Sequence, residues 1–264
     1  MNAQAWKICL AATFGGSFLF MALVGAGVVT AQLNADSLPN FPWFPVPVLA
    51  LVGGVAWWCQ RRWDIGLNAP LRAPAGLVVA FAVTSMVAAH ALWVLEKSYH
   101  GVTYQFPRGP DGTSALFLVT YWVALSLAFS TASEVCFRGI MQSQLARYLS
   151  LWPTITLVVL FNTFAHPWAT LWERFFGVLA ILLAWGWLRH ISGSLRATIL
   201  THIAAVMGGD LIFLALGPVN FGELQAGTLV AVAAVGVIAL AVSVWLSRLI
   251  TSRAKPAGEA STAP

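Results

Sequence analysis

Long apolar segments with very few charged residues dominate this sequence. Only 9% of the 264 residues are charged, and Asp and Glu together number nine. An ordinary soluble domain has roughly 25% charged residues. The mean hydropathy of +0.80 points in the same direction. We therefore expect an integral, multi-pass membrane protein, and the composition disfavours a soluble enzyme, a disordered chain or a secreted disulfide scaffold.

The apolar segments are long enough to form membrane-spanning helices. In lipid every backbone polar group must be paired internally, and a helix of about 20 apolar residues crosses the hydrocarbon core. The sequence therefore predicts an all-α, polytopic transmembrane helical bundle of about eight spans. The fifth is short enough to be a buried or half-spanning helix. The predicted spans are 8–31, 42–59, 75–95, 114–132, 152–166, 171–189, 195–216 and 226–248.

The distribution of basic residues predicts the orientation of these spans. Cytoplasmic loops of membrane proteins carry an excess of Lys and Arg. With both termini in the cytoplasm, only Lys97, Arg108 and Arg174 of the fourteen basic residues fall on the outer side. We therefore predict that both termini are cytoplasmic. We also expect the plasma (inner) membrane as the location. The eleven cytoplasmic residues are Lys7, Arg61, Arg62, Arg72, Arg138, Arg147, Arg189, Arg196, Arg248, Arg253 and Lys255.

The net charge of +5 indicates contact with lipid head groups. The basic residues are scattered, and no run exceeds Arg61-Arg62, so the pattern favours the lipid bilayer as partner and no nucleic acid. The first apolar segment has two interpretations. Val29-Thr30-Ala31 resembles a signal-peptide cleavage site, but the stretch 8–31 is longer than an ordinary signal sequence and only Lys7 precedes it. We favour an uncleaved span.

A few polar side chains interrupt the apolar segments. Ionisable residues at membrane depth are costly and usually face the bundle interior, so each is a candidate functional residue. His90, among alanines, is interpreted as a packing residue. The other candidates fall between residues 130 and 210: Glu134, Arg138, Asn162, His166, His202 and Asp210.

The spacing of these candidates predicts which of them lie close together. Glu134 and Arg138 are four residues apart, so on a helix they share a face and can pair. Asn162 precedes His166 by one turn, and His166 is followed by Pro167, which places it near a helix end. Asp210 lies about two turns beyond His202. Two imidazoles and a carboxylate from three helices can bind zinc, or can orient and deprotonate water.

These residues resemble the CAAX-protease and bacteriocin-processing (Abi, CPBP) intramembrane protease family. The family pattern has two adjacent glutamates with an arginine four after the second, a phenylalanine four before a histidine, and a second histidine four before Asn or Asp. The resemblance covers about residues 115–215. The matching segments are 134–139, His166 at the end of an apolar helix, and 194–202.

Three positions depart from the family pattern. Ser133 stands where the family has its first glutamate, the one usually taken as the base that activates water. Asn162 replaces the phenylalanine four before His166, although Phe161 is adjacent. Val206 replaces the Asn or Asp thought to help stabilise the oxyanion. Asn162 or Asp210 is a candidate to compensate for Val206, since each lies near a retained histidine in helical projection.

The resemblance implies an intramembrane endopeptidase of glutamic or metallo type. Its substrates would be membrane-associated peptides or proteins cut at membrane-proximal bonds, for example in C-terminal tails. Glu134, His166 and His202 are the candidate catalytic residues, with Arg138, Asn162 and Asp210 in support. We expect no required cofactor. If zinc is used, the implied ligands are Glu134, His166 and His202.

The resemblance also suggests a division of the chain. Residues 1–113 would form N-terminal helices with an outer loop at 96–113, and residues 114–216 a CPBP-like catalytic core. Residues 217–264 would form the last helix and a disordered cytoplasmic tail.

Two other classes of function stay open, and the sequence leaves the oligomeric state undecided. A catalytically inactive relative, acting as a peptide-binding, immunity or scaffold factor, is favoured by Ser133 and Val206. A transporter using Glu134 and Asp210 as proton relays would need a pathway across the bundle, and the sequence shows no internal repeat. Ser133 is also a candidate nucleophile, but no base adjoins it in sequence.

Overall fold

A computed structural model of the protein describes residues 3–37, 45–104, 115–166 and 171–253. The described chain is almost wholly helical, which confirms the predicted all-α polytopic bundle. Its α-helices are α1 (Ala3–Ser37), α2 (Pro45–Trp63), α3 (Ala75–Tyr99), α4 (Ala115–Ser133), α5 (Ser143–Leu145), α6 (Leu151–Phe164), α7 (Phe175–Ser192), α8 (Leu195–Leu216) and α9 (Ala226–Arg253).

Shorter elements join these helices. A π-helical segment, Glu134–Gln142, connects α4 to α5, and 3-10 turns lie at Trp172–Arg174 and Phe221–Glu223. Strands β1 (Thr103–Tyr104) and β2 (Val219–Asn220) form one antiparallel pair, with Tyr104 opposite Val219.

Six helices in the described part of the chain are long and apolar enough to cross a membrane, so the chain is an integral multi-pass membrane protein. The predicted second span is present as α2, but its prolines, tryptophans and final Gln60-Arg61-Arg62 lower its mean hydropathy. The predicted fifth span is the short helix α6. The six are Gln4–Leu23, Ala75–Tyr99, Val123–Leu145, Trp172–Ser192, Leu195–Phe213 and Ala226–Arg253.

The predicted boundary between the third span and the outer loop differs from the structure. Helix α3 continues to Tyr99, so the residues Glu96 and Lys97 lie in the helix and not in the predicted outer loop. Both side chains have partners near the start of α7: Glu96 bonds to the Phe176 and Gly177 amides, and Lys97 pairs with Glu173 just before the helix. Residues 105–113 of that loop and residues 254–264 of the predicted tail lie outside the described residues.

The π segment lies at the centre of the bundle. All nine of its residues are buried, and it packs against α1, α2, α4, α6 and α8. Gly139 allows the close approach of its neighbours, because a Cβ there would lie 3.0 Å from Leu195 Cδ2 and 3.2 Å from Ile65 Cδ1. Burial on every side forces any polar group in this segment to find its partner inside the protein.

One end of the bundle joins the segments 60–74 and 189–196, both predicted to be cytoplasmic. The Leu195 amide donates to the Gly66 carbonyl at 3.0 Å, and the Arg72 amide donates to the Ser192 carbonyl at 3.0 Å. The Arg189 guanidinium donates to the Ile65 carbonyl at 2.9 Å. Gly66, at φ 75°, adopts a left-handed conformation that favours glycine.

The opposite end joins three segments predicted to lie outside. The Glu96 carboxylate accepts hydrogen bonds from the Phe176 and Gly177 amides at 2.9 and 3.0 Å. It thereby caps the first turn of α7, where backbone amides have no helical partner. Lys97 pairs with Glu173 at 3.1 Å. The Phe221 amide donates to the Val102 carbonyl at 3.0 Å, which ties the chain after α8 to the same end. The two groups of contacts agree with the predicted alternation of the loops, and which end faces the cytoplasm stays a prediction.

We predict that Gly177→Ala destabilises the protein. A Cβ at this position would lie 2.8 Å from Trp93 Cβ and 3.0 Å from its Cα, so α3 and α7 would have to move apart at a cost of about 1–3 kcal/mol. Thermal unfolding in detergent measures the effect. Gly15→Ala is the matched control, because a Cβ at Gly15 meets nothing within 4 Å. Equal melting temperatures for the two variants would contradict the packing described here.

Candidate functional site

A fully buried ion pair lies in the first turn of the π segment. Glu134 and Arg138 each have 0% side-chain exposure, and Glu134 Oε1 lies 3.4 Å from an Arg138 guanidinium nitrogen. The Arg138 guanidinium also donates to the Leu182 carbonyl of α7 at 3.2 Å. The predicted four-residue pairing is therefore present, and the pair faces the protein interior.

His202 on α8 completes this buried group. Its Nδ1 lies 2.9 Å from Glu134 Oε1, and the Trp185 ring stacks on the imidazole with 3.9 Å between the ring centroids. A carboxylate paired with arginine is a hydrogen-bond acceptor, so Nδ1 is the donor and carries the hydrogen. In the neutral ring Nε2 then holds the lone pair. Glu134 and Trp185 thus fix both the tautomer and the plane of this histidine.

His166 is fixed in a similar way from the end of α6. Its Nδ1 lies 2.9 Å from the Asn162 carbonyl oxygen, one turn back. A carbonyl oxygen only accepts, so Nδ1 is again the donor and Nε2 is left to act as a base or ligand. The helix itself ends at Phe164, which matches the predicted position of His166 near a helix end.

Both imidazoles line one cavity of about 230 Å³. It lies between α3, α7 and α8 and reaches the end of the bundle that carries β1. Glu134 is not part of the lining and lies behind His202. The described lining residues are Ala89, His90, Trp93, Tyr104, His166, Arg174, Gly177, Val178, Ile181, Leu182, Trp185, His202, Ala205, Val206, Gly209 and Phe213.

Of the three positions that depart from the family pattern, Ser133 and Asn162 lie together and Val206 lies at the cavity. The Asn162 amide nitrogen lies 3.4 Å from Ser133 Oγ, and both residues are buried. These two departures therefore contact each other behind the cavity. Val206 lines the cavity and carries no hydrogen-bonding group. Asp210 lies in α8, and its side chain is outside the described residues.

Several residues of the site were not predicted. His90, interpreted above as a packing residue, lines the cavity and directs Nδ1 to the Met86 carbonyl at 2.9 Å. Trp185 stacks on His202. Arg174 and Tyr104 come from segments near the end of the bundle that carries β1. The polar character of His90 and Arg174 was visible in the sequence, but only the helix packing brings them to the cavity.

The donor set does not fit a zinc site. Among the described residues, no group of three His, Cys, Asp or Glu side chains is arranged to hold a metal ion. Glu134 Oε1 is engaged with the imidazole of His202 and the guanidinium of Arg138. Zinc binding by Glu134, His166 and His202 would require these contacts to break and the side chains to converge.

The comparison with protein-family models returns a match to the family described as Type II CAAX prenyl endopeptidase Rce1-like over residues 114–207. The matched segment contains the Glu134, Arg138, His166 and His202 positions described above. Comparisons with curated proteins and with solved structures found no match. Over residues 114–207 this chain is therefore similar to the Rce1-like Type II CAAX prenyl endopeptidases, which confirms the resemblance to the CPBP family of membrane proteases.

Proposed function

We propose that the protein is an intramembrane endopeptidase that cuts membrane-proximal peptide bonds, including bonds in C-terminal tails, of membrane-associated peptides or proteins. The observation that carries this proposal is the 2.9 Å contact of Glu134 with His202, because His202 lines a cavity together with His166. The similarity to an endopeptidase family over residues 114–207 supports it. We expect the plasma (inner) membrane as its location.

Glu134 can activate water directly or through His202, and its burial favours the second route. The carboxylate has 0% exposure and holds the proton-bearing side of the ring, so Nε2 of His202 faces the reaction as the base. Water gives a proton to Nε2 while its oxygen attacks the peptide carbonyl carbon. The imidazolium, stabilised by Glu134, then gives that proton to the leaving amine as the C–N bond breaks.

The other candidate residues serve this pair. Arg138 fixes the Glu134 carboxylate and ties it to α7 through the Leu182 carbonyl. His166 offers Nε2 from a second side of the cavity, where it can orient the water or the leaving group. Asn162 positions His166 through its backbone carbonyl. These roles require no metal ion.

A second function is favoured by one specific contact. Ser133, at the position of the family's first glutamate, packs against Asn162 behind the cavity. A protein that retains the fold without that glutamate could bind peptides as an inactive scaffold or immunity factor. The enzyme and the inactive relative differ in whether the wild-type protein hydrolyses a bound peptide.

Removing the basic ring nitrogen of either His202 or His166 is expected to abolish most of the activity. His202→Gln and His166→Gln should each lower kcat by about 10²–10⁴-fold, the usual contribution of general acid–base catalysis. Glu134→Gln should have a comparable effect, because the His202 imidazolium loses its counter-charge. Quenched-fluorescence tail peptides in proteoliposomes provide the assay.

His190→Gln is the matched control for the histidine variants. His190 is exposed, belongs to the end of α7 opposite the cavity and is not among its lining residues. Its kcat should equal that of the wild type. Melting temperatures in detergent separate lost chemistry from lost folding, which matters because removal of one partner of a buried ion pair can cost about 3–5 kcal/mol. Full activity in a folded Glu134 or His202 variant would refute the assigned pair.

Substitutions at Ser133 distinguish the enzyme from the inactive relative. Ser133→Ala should change kcat by less than about tenfold, equivalent to about 1.4 kcal/mol of barrier, because the hydroxyl contacts Asn162 and not the cavity. Hydrolysis by Ser133→Glu alone, with none by the wild type, would establish the inactive relative instead. Product masses from the two variants and the wild type decide between these outcomes.

Metal chelation should leave the activity unchanged. The base proposed here is an imidazole supported by a carboxylate, and the donor groups do not form a zinc site. Incubation of the purified protein with 1,10-phenanthroline, followed by elemental analysis and assay, measures this. A loss of activity that zinc alone restores would contradict the metal-free role.

A further inference from the structure

We propose that Arg174 is a catalytic residue that binds the oxyanion of the tetrahedral intermediate. This inference rests on the proposed endopeptidase function. The observation behind it is that Arg174 and Val206 line the same cavity as the two candidate imidazoles. Val206 offers no donor, whereas the guanidinium of Arg174 offers both charge and several N–H groups.

The composition of the cavity wall favours an anionic group. Its described ionisable side chains are three histidines, Tyr104 and Arg174, and no Asp or Glu is among them. Glu134 lies behind His202 and is neutralised by Arg138. A negative charge that develops in this cavity during hydrolysis would therefore meet no carboxylate in its described lining, and the Arg174 guanidinium would offer it a positive charge and N–H donors.

Arg174 lies in a segment that is anchored to α3, at the end of the bundle that carries β1. The preceding residue, Glu173, pairs with Lys97, whose side chain is only 6% exposed. The two amides that follow in α7, those of Phe176 and Gly177, are held by the Glu96 carboxylate. The backbone of Arg174 is thus fixed on both sides by adjacent residues of α3.

Arg174 shares its cavity with the residues it would serve. His166, His202 and Tyr104 line the same cavity. Donors that are in place before the reaction need no rearrangement when the oxyanion forms.

The kinetic test uses Arg174→Gln, Arg174→Lys and the double variant Arg174→Gln with Val206→Asn. Loss of one oxyanion donor typically lowers kcat by about 10²–10³-fold. We expect this loss in Arg174→Gln with little change in KM, and a smaller loss in Arg174→Lys. Val206→Asn should restore at least about tenfold of the lost rate, because it returns an amide to the position where the family has one.

Arg196→Gln is the matched control. Arg196 is exposed, contacts Asn68 at 2.6 Å, and lies at the opposite end of the bundle. Its kcat should equal that of the wild type. A folded Arg174→Gln variant with unchanged kcat, or one in which only KM rises, would overturn the proposal.

A binding measurement separates this inference from the proposed function. A peptidyl phosphonate carries a tetrahedral anion in place of the scissile carbonyl, and the parent peptide does not. Arg174→Gln should weaken phosphonate binding by about 10²-fold, in proportion to kcat, as expected for a transition-state contact, while parent-peptide binding is unchanged. Equal weakening of both ligands, or of neither, would refute oxyanion binding. Absence of hydrolysis by the wild type would refute the proposed function itself, and the titration would still report whether Arg174 binds the anion.

Discussion

The structure depends on a charged group placed where charge is most costly. Glu134 and Arg138 have no solvent-exposed side-chain surface, inside a bundle whose surroundings are hydrocarbon. Hydrogen bonds from neighbouring groups offset part of the cost of burying an ion pair. His202 and the Leu182 carbonyl each supply one such contact, so the pair draws α7 and α8 onto the π segment. The same contacts that stabilise the charges thereby bring an oriented imidazole to a cavity.

The helical architecture could be predicted from the sequence because the patterns that indicate it involve residues close together in the chain. Hydropathy over windows of about 20 residues identifies membrane spans, and a separation of four residues predicts the pairing of Glu134 with Arg138. The contact of Glu134 with His202 joins residues 68 positions apart, so the packing of the bundle decides it. The family resemblance named both residues, but no periodicity could show that they touch.

Residues near the helix ends were the hardest to predict. Glu96 and Lys97 are charged and follow a long apolar stretch, which is typical of a loop entering water. They are helical because they cap α7 and pair with Glu173, and these partners lie about 80 residues away in sequence. For His90 the local sequence was also misleading. Its alanine neighbours indicated a packing residue, but the approach of α8 places it at the wall of a cavity. Both outcomes come from tertiary contacts that override local patterns.

The π segment has a consequence for how this chain is compared with its relatives. A π turn closes between residues five apart, where an α turn closes between residues four apart. Positions after Arg138 therefore face different directions from those that an α-helical projection assigns; Gln142, for example, reaches the Gly186 carbonyl at 3.0 Å. A superposition that treats residues 115–145 as one regular helix will align either Glu134 or Gln142 correctly, and will displace the other by part of a turn. Equivalent residues in a relative therefore have to be assigned separately before and after the π segment.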